Sequence, residues 1–356
     1  MRKETKEIVT APVQNEPIAK SYASASLLTD LMVGKYVDHL PFYRQVQMFK
    51  RLGVCIPPST IEVWFHDVAD LMRPAYYRLR ELVLSTDYIQ SDETTVPIID
   101  NEKHRTVKGY LWLVRSMVNG LVFFAYNEGS RGAKMVLQLF KDYQGAIQTD
   151  GYAGYNILEK QEGITTLGCW VHTRRYFDRA LTHDKARAEY ALAQIGMLYD
   201  VESMADDQHM DTLQRMELRK RLAYPIIRAF EKWCICEQGN VLPKSPIGKA
   251  IGYFLNNSRR LVRYTMDGRY LPDTNLIENS VRPVAVGRKN YLFCGNHDAA
   301  EDAAVIYSLM GCCKAADVDF KQWMNYFLNH VHEYDSDYSK DLVNLLPHSL
   351  KKQGII

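Results

Sequence analysis

A mixed α/β sheet, interrupted by an all-helical insertion and flanked by helical segments at both ends, is the fold class that this sequence predicts. Three observations carry that expectation. Between about residues 87 and 172, strand and helix signals follow the order β-β-β-α-β-α-β. From about Thr173 to Asp267 the pattern is almost wholly helical, too long for a connection and without strand character. Both flanks read as amphipathic helix. Three strands in succession, then alternating helix and strand, suit a mixed sheet with helices on its faces.

The elements follow in order. Residues 1–26 form an extended lead-in, with Pro12, Pro17 and the small residues of "SYASAS". Residues 27–86 are helical, in the stretches "LLTDLMVGKYVDHL", "FYRQVQMFKRLG" and "STIEVWFHDVADLMRPAYYRLRELVL". Pro41 and "GVCIPP" punctuate them, and Ser59 or Thr60 offers an N-cap. Two helices around a short Gly-containing turn outline a DNA-binding helix-turn-helix, an outline that ordinary helical packing shares. Residues 87–172 open the core with "DYIQSDETTVPIID", "GYLWLVRSM" and "LVFFAYN", the last two joined through Asn119-Gly120, a strong hairpin signal. The helix "RGAKMVLQLFKDY" and the strands in "GAIQTDGY" and "TTLGCWVH" follow. The helical insertion takes residues 173–270. Residues 271–296 return to the core, 297–335 are two amphipathic helices, and 336–356 read as a tail.

Composition narrows the class. Apolar residues at 47% and charged residues at 24% suit a globular chain and exclude wholesale disorder. A net charge of only +2 means that any nucleic-acid surface must come from local clustering. Between Lys249 and Asn290 eight basic residues stand against three acids, a cluster or a solvated helical face. Seven cysteines with no C-x-x-C pair fit neither a disulfide framework nor a zinc finger. The first residues, "MRKETKEIVTAPVQ", lack the apolar stretch of a secretory signal, and no run is long enough to span a membrane. A reducing cytoplasm is the expected compartment.

Three carboxylates fall on suggestive elements. Asp92 lies in the first strand, Asp150 at the end of the fourth, and Glu278 on a helix after the insertion. Two aspartates on adjacent strands and a glutamate on a nearby helix could hold Mg²⁺, which prefers oxygen ligands. Two such ions can stabilise both the attacking and the leaving oxygen of an in-line phosphoryl displacement. Each acid also has a plainer reading. Asp92 could face solvent beside Glu93, Asp150-Gly151 could be a turn, and Asn275 with Glu278 matches a capping box.

The flanking residues decide between these. "SDETTVPIID", "QTDGYAGYN", "GCWVHTRRYFD" and "NLIENSVRPVAVGRKNYLF" occur in one order, and together they closely resemble the transposases of the IS66 family of prokaryotic insertion sequences. The resemblance runs from about Val9 to about Val331; "KYVDHLPFYRQ" and "YSLMGCCKAADVDFKQWMNYFLNHV" also look like family segments. It implies a ribonuclease-H-like DDE catalytic core with a helical insertion before the glutamate. The triad then falls on Asp92, Asp150 and Glu278, as catalytic residues and as ligands of two Mg²⁺ ions, with Mn²⁺ able to substitute. The implied reaction is hydrolysis at the ends of the mobile element, then attack of the freed 3′-hydroxyl on target DNA. Arg282, Arg288 and Lys289 would hold DNA phosphates, and Arg174 and Arg175 could add contacts. Cys169 and His172 of "CWVH" could begin a zinc site, but no second pair follows. The reading taken is structural: Cys169 and Trp170 pack behind the fifth strand, and His172 points towards the catalytic edge. The implied partners are element ends and target DNA, further copies of the chain, and accessory proteins of the same element, with no membrane, in a prokaryotic cytoplasm at the nucleoid. Complete family members carry a cysteine-rich zinc-binding region upstream of the segment matched by Val9, and this chain has none there. A truncated copy that binds DNA or partner subunits without transposing is therefore the alternative.

Overall fold

The computed structural model describes residues 16–100, 102, 104–129, 131–335, 337 and 339–356. The chain begins with α1 (Ala25–Tyr36), α2 (Phe42–Arg51) and α3 (Pro58–Leu84). Ser24 caps α1 by accepting from the Leu27 amide. α3 starts differently from the expectation of a Ser59 or Thr60 cap. Pro57 is its N-cap and Pro58 its first residue, where proline's fixed φ suits the helix and its missing N–H costs nothing. Ile61, Trp64, Phe65, Val68, Met72, Ala75, Leu79 and Val83 recur at helical spacing and are buried in the same core as the sheet. The N-terminal helices are therefore not a separate module.

The sheet has five strands in the order β3-β2-β1-β4-β5: β1 (Tyr88–Asp100), β2 (Arg105–Ser116), β3 (Val122–Asn127), β4 (Gly145–Gln148) and β5 (Ile164–Leu167). β1–β2 and β2–β3 are antiparallel, while β1–β4 and β4–β5 are parallel. The β2–β3 connection turns at Asn119-Gly120, where Gly120 takes φ +75°, a conformation open to glycine at no steric cost. The Ser116 hydroxyl accepts from the Val118 and Asn119 amides and shapes that turn. α4 (Ala133–Leu139) leads into β4, and a 3₁₀ segment (Ala153–Lys160) leads into β5.

Next come α5 (Trp170–Ala180), α6 (Lys185–Asp207), α7 (Thr212–Leu218), α8 (Tyr224–Gln238) and α9 (Pro246–Val262). They bury a second core around Trp170, Phe177, Phe230 and Phe254, so the expected insertion folds on its own apolar centre. Inside it the Arg219 guanidinium, 1% exposed, donates to both Glu202 oxygens at 2.8 and 2.6 Å and to the carbonyls of Tyr264 and Asp267.

α10 (Asn275–Tyr291) and α11 (His297–Ala315) return to the main core. Phe124 of β3 packs on Tyr307 of α11, on the sheet face that also carries Asp92 through the row Asp92–Leu113–Phe124. Asp302 of α11, nearly buried, accepts from Arg73 at 2.7 Å and pairs with His66 at 2.8 Å, joining α11 to α3. After α12 (Phe320–His330) the chain does not end in a loose tail. A 3₁₀ turn (Leu342–Leu345) and α13 (Pro347–Lys352) bury Leu345, Leu346 and Leu350, and the Trp323 indole donates to the Leu345 carbonyl at 2.9 Å. Among the described residues no helix is long and apolar enough to cross a membrane.

Arg219→Ala is expected to destabilise the chain by about 3 kcal/mol or more, because it strands two carbonyls and part of a buried carboxylate. Urea unfolding of wild type and variant checks this. A change within experimental scatter would mean that water replaces the guanidinium without cost.

Candidate functional site

The site starts from a register. In the parallel β1–β4 ladder Gln90 pairs with Gln148, and both amides are fully buried on one face. The Gln148 oxygen accepts from the Tyr88 hydroxyl at 2.6 Å and from the Gln90 amide at 2.8 Å. Its amide donates to the carbonyls of Gly168 at 2.9 Å and Leu271 at 2.7 Å, while Gln90 also donates to the Asp273 carbonyl. Side chains two residues apart on a strand share a face, and neighbouring strands lie about 4.8 Å apart. Asp92 and Asp150, each two residues beyond its glutamine, therefore emerge side by side. Asp150 already lies past the end of β4, in the bend where its carboxylate accepts from the Tyr152 amide at 2.9 Å.

The same network ties down the segment before α10 and so aims Glu278. Thr274, not Asn275, is the N-cap, and it makes no side-chain capping bond. Glu278 sits a turn further in and is no capping-box partner. Its Oε2 accepts from Arg175 at 2.6 Å, and its Oε1, buried without a hydrogen-bond partner, lies 3.7 Å from the His172 Nε2. Burial, then the charge of Glu93 and those of Asp150 and Glu278, push the Asp92 carboxyl up to about 7. That repulsion marks the three acids as neighbours. Their oxygens do not all fall within 4.8 Å of one another; among the described residues only His66, Asp70 and Asp302 form so close a trio, and Arg73 already pairs with both of its acids.

Cys169 and Trp170, expected together behind the fifth strand, part company. Cys169 is buried behind β5, its sulfur accepting from the Thr274 amide and hydroxyl, and burial pushes its thiol up to about 11. Trp170 donates its indole N–H to the Leu261 carbonyl inside the insertion core. His172 faces the acids, and burial holds its imidazole below its ordinary value against the pull of Asp150 and Glu278. No cysteine or histidine joins Cys169 and His172 in a metal-binding group among the described residues.

Of the five basic residues expected to hold phosphate, Arg174, Arg282 and Lys289 are exposed. The other two are engaged within the protein. Arg175 holds Glu278, and Arg288 donates to Thr94 and to the Thr95 carbonyl, because its position on α10 points it at β1. Sequence reasoning missed Glu93 altogether. Its carboxylate, 1% exposed, points to the opposite face from Asp92, where it accepts from the Tyr155 hydroxyl at 2.6 Å and pairs with Arg131. It also missed the two glutamines, although "QSD" and "QTD" repeat the pattern Gln-x-Asp in both strands and could have signalled them.

Among the described residues neither Asp92 nor Asp150 has an ion pair, whereas Glu93 and Glu278 each hold an arginine. The geometry thus defines an α/β protein with an acidic site where β1 runs past the end of its parallel neighbour β4. An all-oxygen set of this kind can take a hard divalent cation. Residues 20–302 match the family described as transposase IS66 family, and the chain belongs to that family. It is 30% identical over 341 residues to the Sinorhizobium fredii protein y4qI, covering 91% of this chain and 62% of that protein. It is 27% identical over 362 residues to y4jD of the same organism, covering 98% and 70%. Both carry the description uncharacterized protein. The chain thus spans less than two thirds of y4qI.

The raised Asp92 sets a pH dependence in chelator-treated protein. The folded chain keeps the Asp92 proton up to about pH 7, whereas an unfolded aspartate releases it near pH 3.9. Between those values the folded state binds more protons, so stability should fall as pH rises through the window. Asp92→Asn should flatten that fall in urea midpoints measured across it. An unchanged slope would assign the effect to another group.

Proposed function

We propose that this chain cleaves and joins DNA strands through a ribonuclease-H-like DDE core, with Asp92, Asp150 and Glu278 as the catalytic carboxylates and metal ligands. The observation that carries this reading is the pair of neighbouring strand carboxylates without ion pairs, one of them pushed up to about 7 by burial and by the surrounding acids. A cation is what such a pair lacks. The strand order, with three antiparallel strands followed by two parallel ones, supports the core assignment, as does a glutamate on the first helix after a helical insertion. Membership of the IS66 transposase family supports DNA as substrate.

The donor set fits Mg²⁺, with Mn²⁺ as substitute: all three side chains offer oxygen, and one oxygen of Glu278 is buried without a partner. Two bound ions would supply Lewis acidity and lower the pKa of an attacking water. The chain's own contribution is positioning. The Gln90–Gln148 pair fixes the spacing of the aspartates, Arg175 fixes Glu278, and Cys169 with Thr274 anchors the start of α10. His172, its basicity lowered by burial, borders the site beside Glu278, where its Nε2 can accept from Arg175.

Glu278→Gln replaces a carboxylate with a weak metal ligand of the same shape. It should reduce cleavage of DNA carrying the element's ends by at least about 100-fold and remove the rise in melting temperature that Mn²⁺ gives the wild type. The melting temperature in chelator should change little, since no cap is lost. Retained cleavage in a folded Glu278→Gln protein would sink the proposal.

A further inference from the structure

A cavity of about 930 Å³, open to solvent, lies between α1, α10, α11 and the sheet face that carries Asp92. Three groups lining it have a buried polar atom without a hydrogen-bond partner: the Tyr36 hydroxyl, the His39 Nδ1 and the Arg115 Nε. Tyr36 is only 1% exposed, and its hydroxyl is sealed from the cavity, on the side of Tyr291, Tyr307 and Cys294. Arg115 stands on β2 opposite Gln90, half-buried. Its one hydrogen bond among the described residues is a long contact of 3.5 Å to the Ser280 hydroxyl, and no carboxylate pairs with it. Desolvation lowers its pKa accordingly.

A partly desolvated guanidinium without a counter-ion is unfavourable. Such groups persist where a ligand supplies the missing acceptors. Exposed Arg282 and Lys314 add positive charge to the lining. Two acids also line it, but both are engaged: Asp319 caps α12 through the Gln322 amide at 2.7 Å, and Asp317 lies 3.4 Å from Lys351. Lys321, also on the lining, is paired with Asp30 at 2.6 Å. What remains are mostly donors, which select an anion rich in acceptor oxygens, and the fork of an arginine matches a phosphate. The volume is that of a small-molecule site and accommodates a nucleotide.

We propose that this cavity is a phosphate-binding site that holds a single-stranded segment of DNA next to the carboxylates, through Arg115, Arg282 and Lys314. That the phosphate belongs to a DNA strand rests on the function proposed above; that the cavity takes a phosphate does not. Arg115 and Asp92 lie on the same sheet face, one strand and two residues apart, or roughly 8 Å between Cα positions. α10 stands between them, with Leu276, Ser280 and Pro283 lining the cavity while Glu278, on the other side of the helix, meets Arg175. A strand crossing the first turns of α10 therefore reaches both places.

The test is fluorescence anisotropy of a short labelled oligothymidylate with the full chain, in chelator, with dTMP as competitor. Without metal no cleavage occurs, so failure of the catalytic reading leaves this measurement unaffected. Arg115→Gln should weaken oligonucleotide binding about 10-fold and lower the slope of log affinity against log salt by about 0.7. Arg282→Gln removes an exposed cation of the lining, so it should keep the wild-type melting temperature and still weaken binding severalfold. It carries the test alone if Arg115→Gln does not fold. Wild-type affinity and salt slope in the folded variants would overturn the proposal. Loss of dTMP binding alone, with oligonucleotide binding intact, would make the cavity a free-nucleotide site and overturn the strand placement.

Discussion

The pairing of Gln90 with Gln148 is the constraint on which the site depends. A parallel ladder slipped by one residue would turn every side chain of β4 to the other face and take Asp150 away from Asp92. A strand as short as β4, with only four residues, does not fix its register against β1 by apolar burial alone. The buried amides do so instead. Gln148 uses both lone pairs and both hydrogens, with Tyr88, Gln90, Gly168 and Leu271 as partners, so a slip would leave several polar groups unsatisfied at a cost of a kcal/mol or more each. The specificity of a polar network here replaces the length of a strand.

That network also closes the insertion. The chain leaves the core at Cys169 and returns near Pro272, and the two points are tied by the Trp170 amide to the Pro272 carbonyl at 2.9 Å and by Thr274 to the Cys169 sulfur. The intervening helices have their own apolar centre, and they also reach the site directly: Arg175 holds Glu278, and the Tyr253 hydroxyl accepts from the Gly151 amide beside Asp150. Loop-closure entropy grows only slowly with length, which lets about a hundred residues enter between the second and third acids without displacing either. Fixing Gly168 and Leu271 from Gln148 places both roots against β4, and Glu278 follows one turn later.

Period-two alternation with Asn119-Gly120 made the antiparallel half of the sheet legible in the sequence, and a helical stretch without strand signals made the insertion legible. The acids were found by their place on the elements and by resemblance. Their supports were not, because hydrogen bonds between Gln90, Gln148 and backbone carbonyls far along the chain leave no periodic trace. Arg288 was read as a surface cation because a basic cluster says nothing about direction; its position on α10 turned it towards β1, while Arg175 stays exposed and pairs with Glu278. The C-terminal segment was read as a tail for the opposite reason. Leu345, Leu346 and Leu350 cover too few turns to show a period, yet they fill the space beside Trp323.

The charge arrangement follows from these placements. Four acids gather where β1 runs past the end of β4, and two arginines meet two of them: Arg131 takes Glu93 on one face, and Arg175 takes Glu278 on the other. Each arginine thus neutralises an outer acid and leaves the inner pair, Asp92 and Asp150, supported by backbone amides alone among the described residues. An arginine between the aspartates would stabilise the fold more, since it would relieve the repulsion that raises Asp92. Its absence from the centre and presence at the rim keep negative charge concentrated at one point while preventing four carboxylates from repelling one another freely. A structural salt-bridge cluster has no need of that distribution, whereas the proposed cation site does.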